Sequence, residues 1–310
     1  MVTHQIDIMT LSELNQRYAL SNQLHFHALS DDYIIAEIAN QYAEARVALQ
    51  GGHILTYQAR GEAPLLWVSQ DAKFAAGKSV RGGVPICWPW FGAHATESTF
   101  PAHGHARTTP WQVLRTEALP DGTTRISLTI CDTENGHTLW PHPSSVEIVI
   151  TVGKTLHVEL TTQNTGSQPF ALGEALHTYF LISDVSNASV RGLDGCDYLD
   201  KVQGFSRHTQ HGDIAIPAEV DRVYVDTEAD CLILDRGLKR AIRISKQNSR
   251  STVVWNPWIE KAEKMGDLGA DGYRKMLCVE SGNAFDNLVT VAPGDSHRLA
   301  VTYSTEPLNE

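Results

Sequence analysis

Two apolar runs each hold one group able to move protons. Ala175-Leu176-His177-Thr178-Tyr179-Phe180 carries a histidine, and Met276-Leu277-Cys278-Val279-Glu280 ends on a glutamate. Both read as strands, and side chains alternate faces along a strand. Glu280 therefore shares a face with Met276 and Cys278. A carboxylate on that face meets either water or a pocket, because buried carboxylates are rare unless paired or functional. Histidine titrates near neutrality. From separate strands, His177 and Glu280 would serve as general acid and general base. Read plainly, His177 is a core histidine satisfied by a backbone group. Only a second titrating group beside it favours catalysis.

An earlier loop supplies a cation. Ser79-Val80-Arg81-Gly82-Gly83-Val84-Pro85-Ile86-Cys87-Trp88-Pro89-Trp90-Phe91-Gly92 gathers glycines, prolines and large aromatics around Arg81. Proline removes a backbone donor and glycine admits unusual dihedrals, so this is a shaped loop. It is either an aromatic turn at a sheet corner or a pocket wall whose arginine faces an anion. Pro101-Ala102-His103-Gly104-His105-Ala106-Arg107 follows. Arg107 and Arg81 would together clamp a phosphate, with His103 aiding orientation. As alternatives, His103 and His105 are metal ligands on one face of a strand, or the segment is a polar loop.

Two further residues suit a sugar. Trp255, in Val254-Trp255-Asn256-Pro257-Trp258, is a platform for an apolar ring face or else core filler. Asp221 is a hydroxyl acceptor or else half of a surface salt bridge. The glycines of 266–272 follow no strand-to-helix pattern, so they are no nucleotide fingerprint. Two aspartates there are too few for a calcium loop.

The elements that must position these groups are short strands. Alternation predicts them at 34–38, 44–49, 53–57, 65–68, 112–116, 124–130, 145–152, 155–162, 188–192, 231–235, 240–245, 251–255, 276–280 and 297–303. Turn residues separate them, as in a sandwich or barrel. Pro120-Asp121-Gly122 and Gly153-Lys154 mark hairpins. Thr10, with Glu13 three positions on, caps a helix that ends near Ala19 and straps the sheet edge. The expected division is an N-terminal extension, 1–30, and one catalytic β domain, 31–310.

The 310 residues are 42% hydrophobic, enough for a sizeable core. A net charge of -11 argues against nucleic acid and anionic membranes as partners. Five scattered cysteines without CxxC give no disulfide framework or zinc ribbon. No leader is read at the N-terminus and no apolar run reaches membrane-spanning length. The expectation is a cytoplasmic protein, monomeric or weakly dimeric.

In order along the chain, Val80-Arg81-Gly82-Gly83-Val84-Pro85, Trp88-Pro89-Trp90-Phe91-Gly92, Pro101-Ala102-His103-Gly104-His105-Ala106-Arg107, Ala175-Leu176-His177-Thr178-Tyr179-Phe180, Val254-Trp255-Asn256-Pro257 and Cys278-Val279-Glu280 resemble the hexose-6-phosphate mutarotases. These are glucose-6-phosphate 1-epimerases within the aldose 1-epimerase superfamily. The resemblance runs from about residue 45 to the C-terminus. It implies an all-β, galactose-mutarotase-like β-supersandwich of mainly antiparallel strands. It implies catalysis by His177 and Glu280, phosphate binding by Arg81 and Arg107, and substrate binding by Asp221. Ala102 stands where some relatives have Gln, and His105 where an apolar residue is usual.

The reaction so implied interconverts the α and β anomers of a hexose 6-phosphate at C1. Ionised Glu280 takes the C1 hydroxyl proton, and protonated His177 gives one to the ring oxygen. The ring opens, C1–C2 rotates and the ring closes. No redox step occurs, so neither a cofactor nor a metal is expected. The alternatives are a non-catalytic sugar-phosphate-binding regulator, a metal enzyme using His103, His105 and His177, and a mutarotase of unphosphorylated aldoses.

Overall fold

The computed structural model describes residues 9–30, 32–131 and 133–308. The first eight residues, on which the expectation of no leader rests, lie outside that range. Antiparallel pairing builds two large sheets. The nine-stranded sheet runs Ile214–Ala215, Ala188–Arg191, Cys231–Asp235, Arg240–Gln247, Ser296–Pro307, Leu156–Asn164, Ser144–Val152, Thr124–Ile130 and Trp111–Ala118. The eight-stranded sheet runs Ser206–Thr209, Asp197–Asp200, Val220–Tyr224, Ser251–Asn256, Met276–Asn283, Glu174–Leu176 and Ile86–Cys87, with Tyr179–Leu181 also on Met276–Asn283. The fold is the expected all-β class.

The two sheets differ in how they meet water. Along Leu156–Asn164 buried residues alternate with more exposed ones, so one face is core and the other is wetter. Ser251–Asn256 and Met276–Asn283 are buried at every position. One of their faces meets the nine-stranded sheet: Leu176, Phe180, Val254, Leu277 and Val279 share a core with Ile148, Ile150, Val158 and Leu160. The opposite face carries Tyr179, Trp255, Met276 and Cys278, covered by Trp67 and Phe91 from loops. Glu280 falls on this second face by strand parity.

A four-stranded sheet joins Leu24–Ser30, Tyr33–Ala39, Ala43–Ala48 and His53–Ala59 in that order. The expected division at residue 30 falls inside its first hairpin, where Leu24 pairs with Ile38 and Phe26 with Ala36. The helix is Leu11–Tyr18, and its capping box forms between Thr10 and Glu13. It lies against the outermost strand of the nine-stranded sheet, where Thr116 Oγ1 donates to Tyr18 O at 2.7 Å. The predicted strand at 65–68 is a correction. Leu65 bonds Tyr57 and Trp67 bonds Tyr179, so the segment changes partner every two residues and makes only isolated bridges. The hairpins at Pro120-Asp121-Gly122 and at Gly153-Lys154 form as expected.

Candidate active site

His177 and Glu280 meet because two strands share a register. Leu176 is opposite Ser281 and Tyr179 is opposite Cys278, so His177 stands across from Glu280. The predicted continuous strand is broken there, into Glu174–Leu176 and Tyr179–Leu181. His177 N turns to Pro85 O at 3.0 Å, and Thr178 N turns back to Leu176 O at 2.9 Å. In the kink, His177 Nδ1 lies 3.3 Å from Glu280 Oε1. The two do not hydrogen-bond. His177 Nδ1 and Glu280 Oε2 are buried with no hydrogen-bond partner among the described residues. Such atoms are expensive to leave unmatched, so a ligand group that met them would be favoured.

Aromatic rings fix the histidine. Tyr179 stacks on it, with centroids 4.9 Å apart and planes 8° apart. Trp255 and His103 meet it edge-on at 5.9 and 5.6 Å. Trp255 is only 7% exposed, so it is part of the buried wall around His177.

The two loops interlock through glycine. A Cβ on Gly104 would lie 1.9 Å from Trp88 O, so only glycine admits the approach. His105 N and Ala106 N donate to that same carbonyl at 3.1 and 3.3 Å. His103 itself sits at φ 68°, in the left-handed region. That geometry costs about 1 kcal/mol or more for a residue with a Cβ. Gly92 N–H points at His103 Nδ1 at 3.4 Å, which assigns the ring proton to Nε2. The strand geometry read for His103 and His105 is corrected. They flank a turn, and His105 turns away to Thr109 at 3.3 Å and to the edge of Trp88.

The cations form the rim. Side-chain exposure rises from 2% at Glu280 and 10% at His177 to 26% at Arg81. Arg81 donates to Asp267 Oδ1 at 3.1 Å and to Tyr179 Oη at 3.0 Å. Arg107 donates to Ala102 O at 2.8 Å. Asp221 is 6% exposed and bound by Lys201 at 2.9 Å and Lys261 at 3.7 Å, so it is no surface bridge. Lys201, Asp267 and Tyr179 were not singled out from sequence. Lys201 follows a strand too short and polar to read. Tyr179 was in view, two residues from His177 on the same strand face.

Electrostatics set the pair apart. Burial pushes Glu280 well above the carboxylate range; Lys201 and Arg107 oppose this and Asp221 adds to it. Burial pushes His177 well below its ordinary value, helped by His103, Arg107 and Arg81. Burial, with Arg107, Lys201 and Arg81, lowers His103 to about 3. Both shifts favour the uncharged forms, with the transferable proton on Glu280 and none to spare on His177. The sequence reading put that proton on His177. The proton count is the same, and burial selects the tautomer without separated charge.

Donor atoms of His177, Cys278 and Glu280 all lie within 4.8 Å of one another, a spacing a metal would accept. Burial, with Glu280 nearby, holds the Cys278 thiol well above its ordinary range.

Comparison with known proteins meets this geometry. The family model for aldose 1-epimerase matches residues 35–304. The chain belongs to that family. An Escherichia coli K12 protein named "Putative glucose-6-phosphate 1-epimerase" is 34% identical over 255 residues, 82% of this chain and 84% of its own. A protein of the same name from Cenchrus ciliaris is 34% identical over 272 residues, 85% of this chain and 82% of its own. The crystal structure of a mutarotase so described (YeaD) from Salmonella typhimurium superposes with TM-score 0.87 at 33% identity, covering 94% of this chain and 96% of that one. A galactose mutarotase-like protein from Clostridium acetobutylicum shares the fold, with TM-score 0.72 at 13% identity over 92% and 98%.

Proposed function

We propose that the protein interconverts the α and β anomers of a hexose 6-phosphate, glucose 6-phosphate foremost, at C1. The observation that carries this is the unbonded, buried His177–Glu280 pair, 3.3 Å apart, beneath a rim that includes Arg81. Anomerisation needs one acid and one base around a hemiacetal, and a pair with one transferable proton is both. Glu280 takes the C1 hydroxyl proton and His177 gives one to the ring oxygen. C1–O5 breaks to the aldehyde, C1–C2 rotates, and closing returns both protons.

The proton must first sit on His177. Arg81 and Arg107 are among the groups that hold His177 neutral. A phosphate dianion between them cancels that field, so substrate binding favours the charged imidazole. Lys201 and Arg107 meanwhile favour the ionised Glu280. Asp221, held by Lys201, accepts from a sugar hydroxyl, and His103 Nε2–H donates to another oxygen of the substrate. Trp255 bounds the ring. Each proton transfer supplies on the order of 10²–10⁴-fold. The phosphate lends binding energy to orientation.

The five free cysteines suit a cytoplasmic site of action, and a monomer or weak homodimer stays part of the proposal. Among the described residues no helix is long and apolar enough to cross a membrane. The test is anomer exchange at C1 by NMR, on glucose 6-phosphate and glucose, for wild type, Glu280→Gln and His177→Asn. Fast exchange on the phosphorylated sugar, lost in both variants, is expected. Exchange that survives in both variants would remove the pair from the mechanism.

A further inference from the structure

A second cluster of histidine and glutamate lies on the four-stranded sheet. His25 and His27 are two apart on Leu24–Ser30, so their side chains share a face. Leu24 and Phe26 between and beside them are buried, which turns the histidines outward. Glu37 is directly opposite His25 on the neighbouring strand. One carboxylate oxygen, Glu37 Oε2, lies 3.2 Å from His25 Nε2 and 3.7 Å from His27 Nδ1. The other oxygen, Oε1, is taken by Arg46, at 3.0 Å from Nε and 2.9 Å from a terminal nitrogen.

We infer that His25, His27 and Glu37 form a binding site for a divalent transition-metal ion of the Zn²⁺ class. Metal–ligand distances of about 2.0–2.1 Å in a tetrahedral zinc site put neighbouring donor atoms roughly 3.3 Å apart. The two measured separations fall on either side of that edge length. Donor atoms of all three residues lie within 4.8 Å of one another, so small rotamer changes close the third edge. Arg46 plays the outer part, fixing the carboxylate by one oxygen and aiming the other. Two imidazoles and one carboxylate are borderline donors that suit Zn²⁺ above Ca²⁺ or Mg²⁺. With side chains 61%, 33% and 30% exposed, His25, His27 and Glu37 leave water a fourth position. The ion would tie the first two strands of this sheet together.

The test is Zn²⁺ binding to the full chain by calorimetry, with melting temperature followed in parallel. One equivalent of Zn²⁺ that raises the melting temperature is expected. His25→Ala and His27→Ala should each lose that equivalent, and Arg46→Met should weaken it about tenfold. His177→Asn should keep it, because that residue belongs to the other His/Glu cluster. Anomer exchange should be unchanged in His25→Ala, which separates this inference from the proposed function. Co²⁺ should give a tetrahedral spectrum without a thiolate charge-transfer band. Failure of wild type to bind Zn²⁺, full binding by His25→Ala/His27→Ala, or a thiolate band from Cys278 would each overturn the inference.

Discussion

Two histidine–glutamate pairs sit on opposite faces of one strand pairing, and they are built for opposite ends. Glu174 and Glu280 belong to neighbouring antiparallel strands, Glu174–Leu176 and Met276–Asn283. Glu280 faces the loops and meets His177 at 3.3 Å without a hydrogen bond. Glu174 faces the other way and meets His297 Nε2 at 3.0 Å, with Asn283 Nδ2 at 3.2 Å on the same oxygen. Burial works against charge on both histidines. At His297 the bond and the charge of Glu174 outweigh it and raise the pKa. At His177 nothing does, and three neighbouring groups push the same way as burial. A pair whose partner raises the histidine pKa is suited to stability, whereas the unbonded pair is suited to the proposed proton transfer.

The sharpest way to break this contrast is to neutralise each carboxylate in turn. Glu280→Gln should lower kcat for anomer exchange on the order of 10²–10⁴-fold, the worth of one proton-transfer group. It should leave folding intact, because Glu280 has no hydrogen bond to lose on Oε2. Glu174→Gln should do the reverse, lowering the urea midpoint while the folded fraction keeps its kcat. If both variants lose activity equally and both unfold, the two faces are not functionally distinct.

Much of this contrast was legible in the chain and part was not. Strand parity alone put Glu280 with Met276 and Cys278, and that is the face they occupy. Thr124–Ile130 and Cys231–Asp235 were read to the residue, because alternation between turn residues leaves little choice. The kink at His177 was not legible. It depends on Pro85 O, some ninety positions away in the chain, capturing the amide that a strand would have used. Nor was the polarity of the pair. The sequence says that a histidine and a glutamate are present, but which tautomer they adopt is set by burial, and burial comes from loops. Leu24–Ser30 was missed because two histidines interrupt its apolar residues, although those histidines alternate as a strand requires. Lys201 and Asp267 were missed because each lies in an irregular segment and reaches the site only through tertiary approach.

The next effect in size concerns the cations at the rim above the first pair. Arg81→Met and Arg107→Met should each lower kcat/KM for glucose 6-phosphate by about 10–10²-fold, the range for a hydrogen bond to a charged group. Neither should change exchange on glucose by as much. Inorganic phosphite added to glucose should raise the wild-type rate, since it supplies the missing anion without the tether. Equal losses on both sugars would show that the arginines hold the fold rather than the phosphate.

The stabilising pair makes a pH prediction with a definite sign. The folded pKa of His297 is raised, so its contribution is fully present below the unfolded value of about 6.5. It fades as pH rises through the higher folded value. His297→Asn should therefore cost about 1.5–3 kcal/mol in mild acid, and the gap to wild type should narrow on the alkaline side. Urea unfolding across that range checks it. A gap that widens with pH would mean that the folded pKa of His297 is lowered rather than raised.

The smallest effect tests what moves the proton within the proposed catalytic pair. Lys201 lies 2.9 Å from Asp221 and pulls Glu280 toward ionisation, while Asp221 pushes it the other way. Lys201→Met removes that pull and leaves Arg107 alone against the push. Less Glu280 is then ionised at neutral pH. Exchange should fall about tenfold, one pKa unit's worth at a base that limits the rate, and the rising limb of the pH–rate profile should move to higher pH. Asp221→Asn should move that limb to lower pH, because it takes away a like charge. A Lys201→Met enzyme that is slower with an unmoved limb would mean that Lys201 only holds Asp221 for the substrate. The proton would then be positioned by burial and the arginines alone. The limb's direction thus separates a charge that tunes Glu280 from one that merely orders its neighbour.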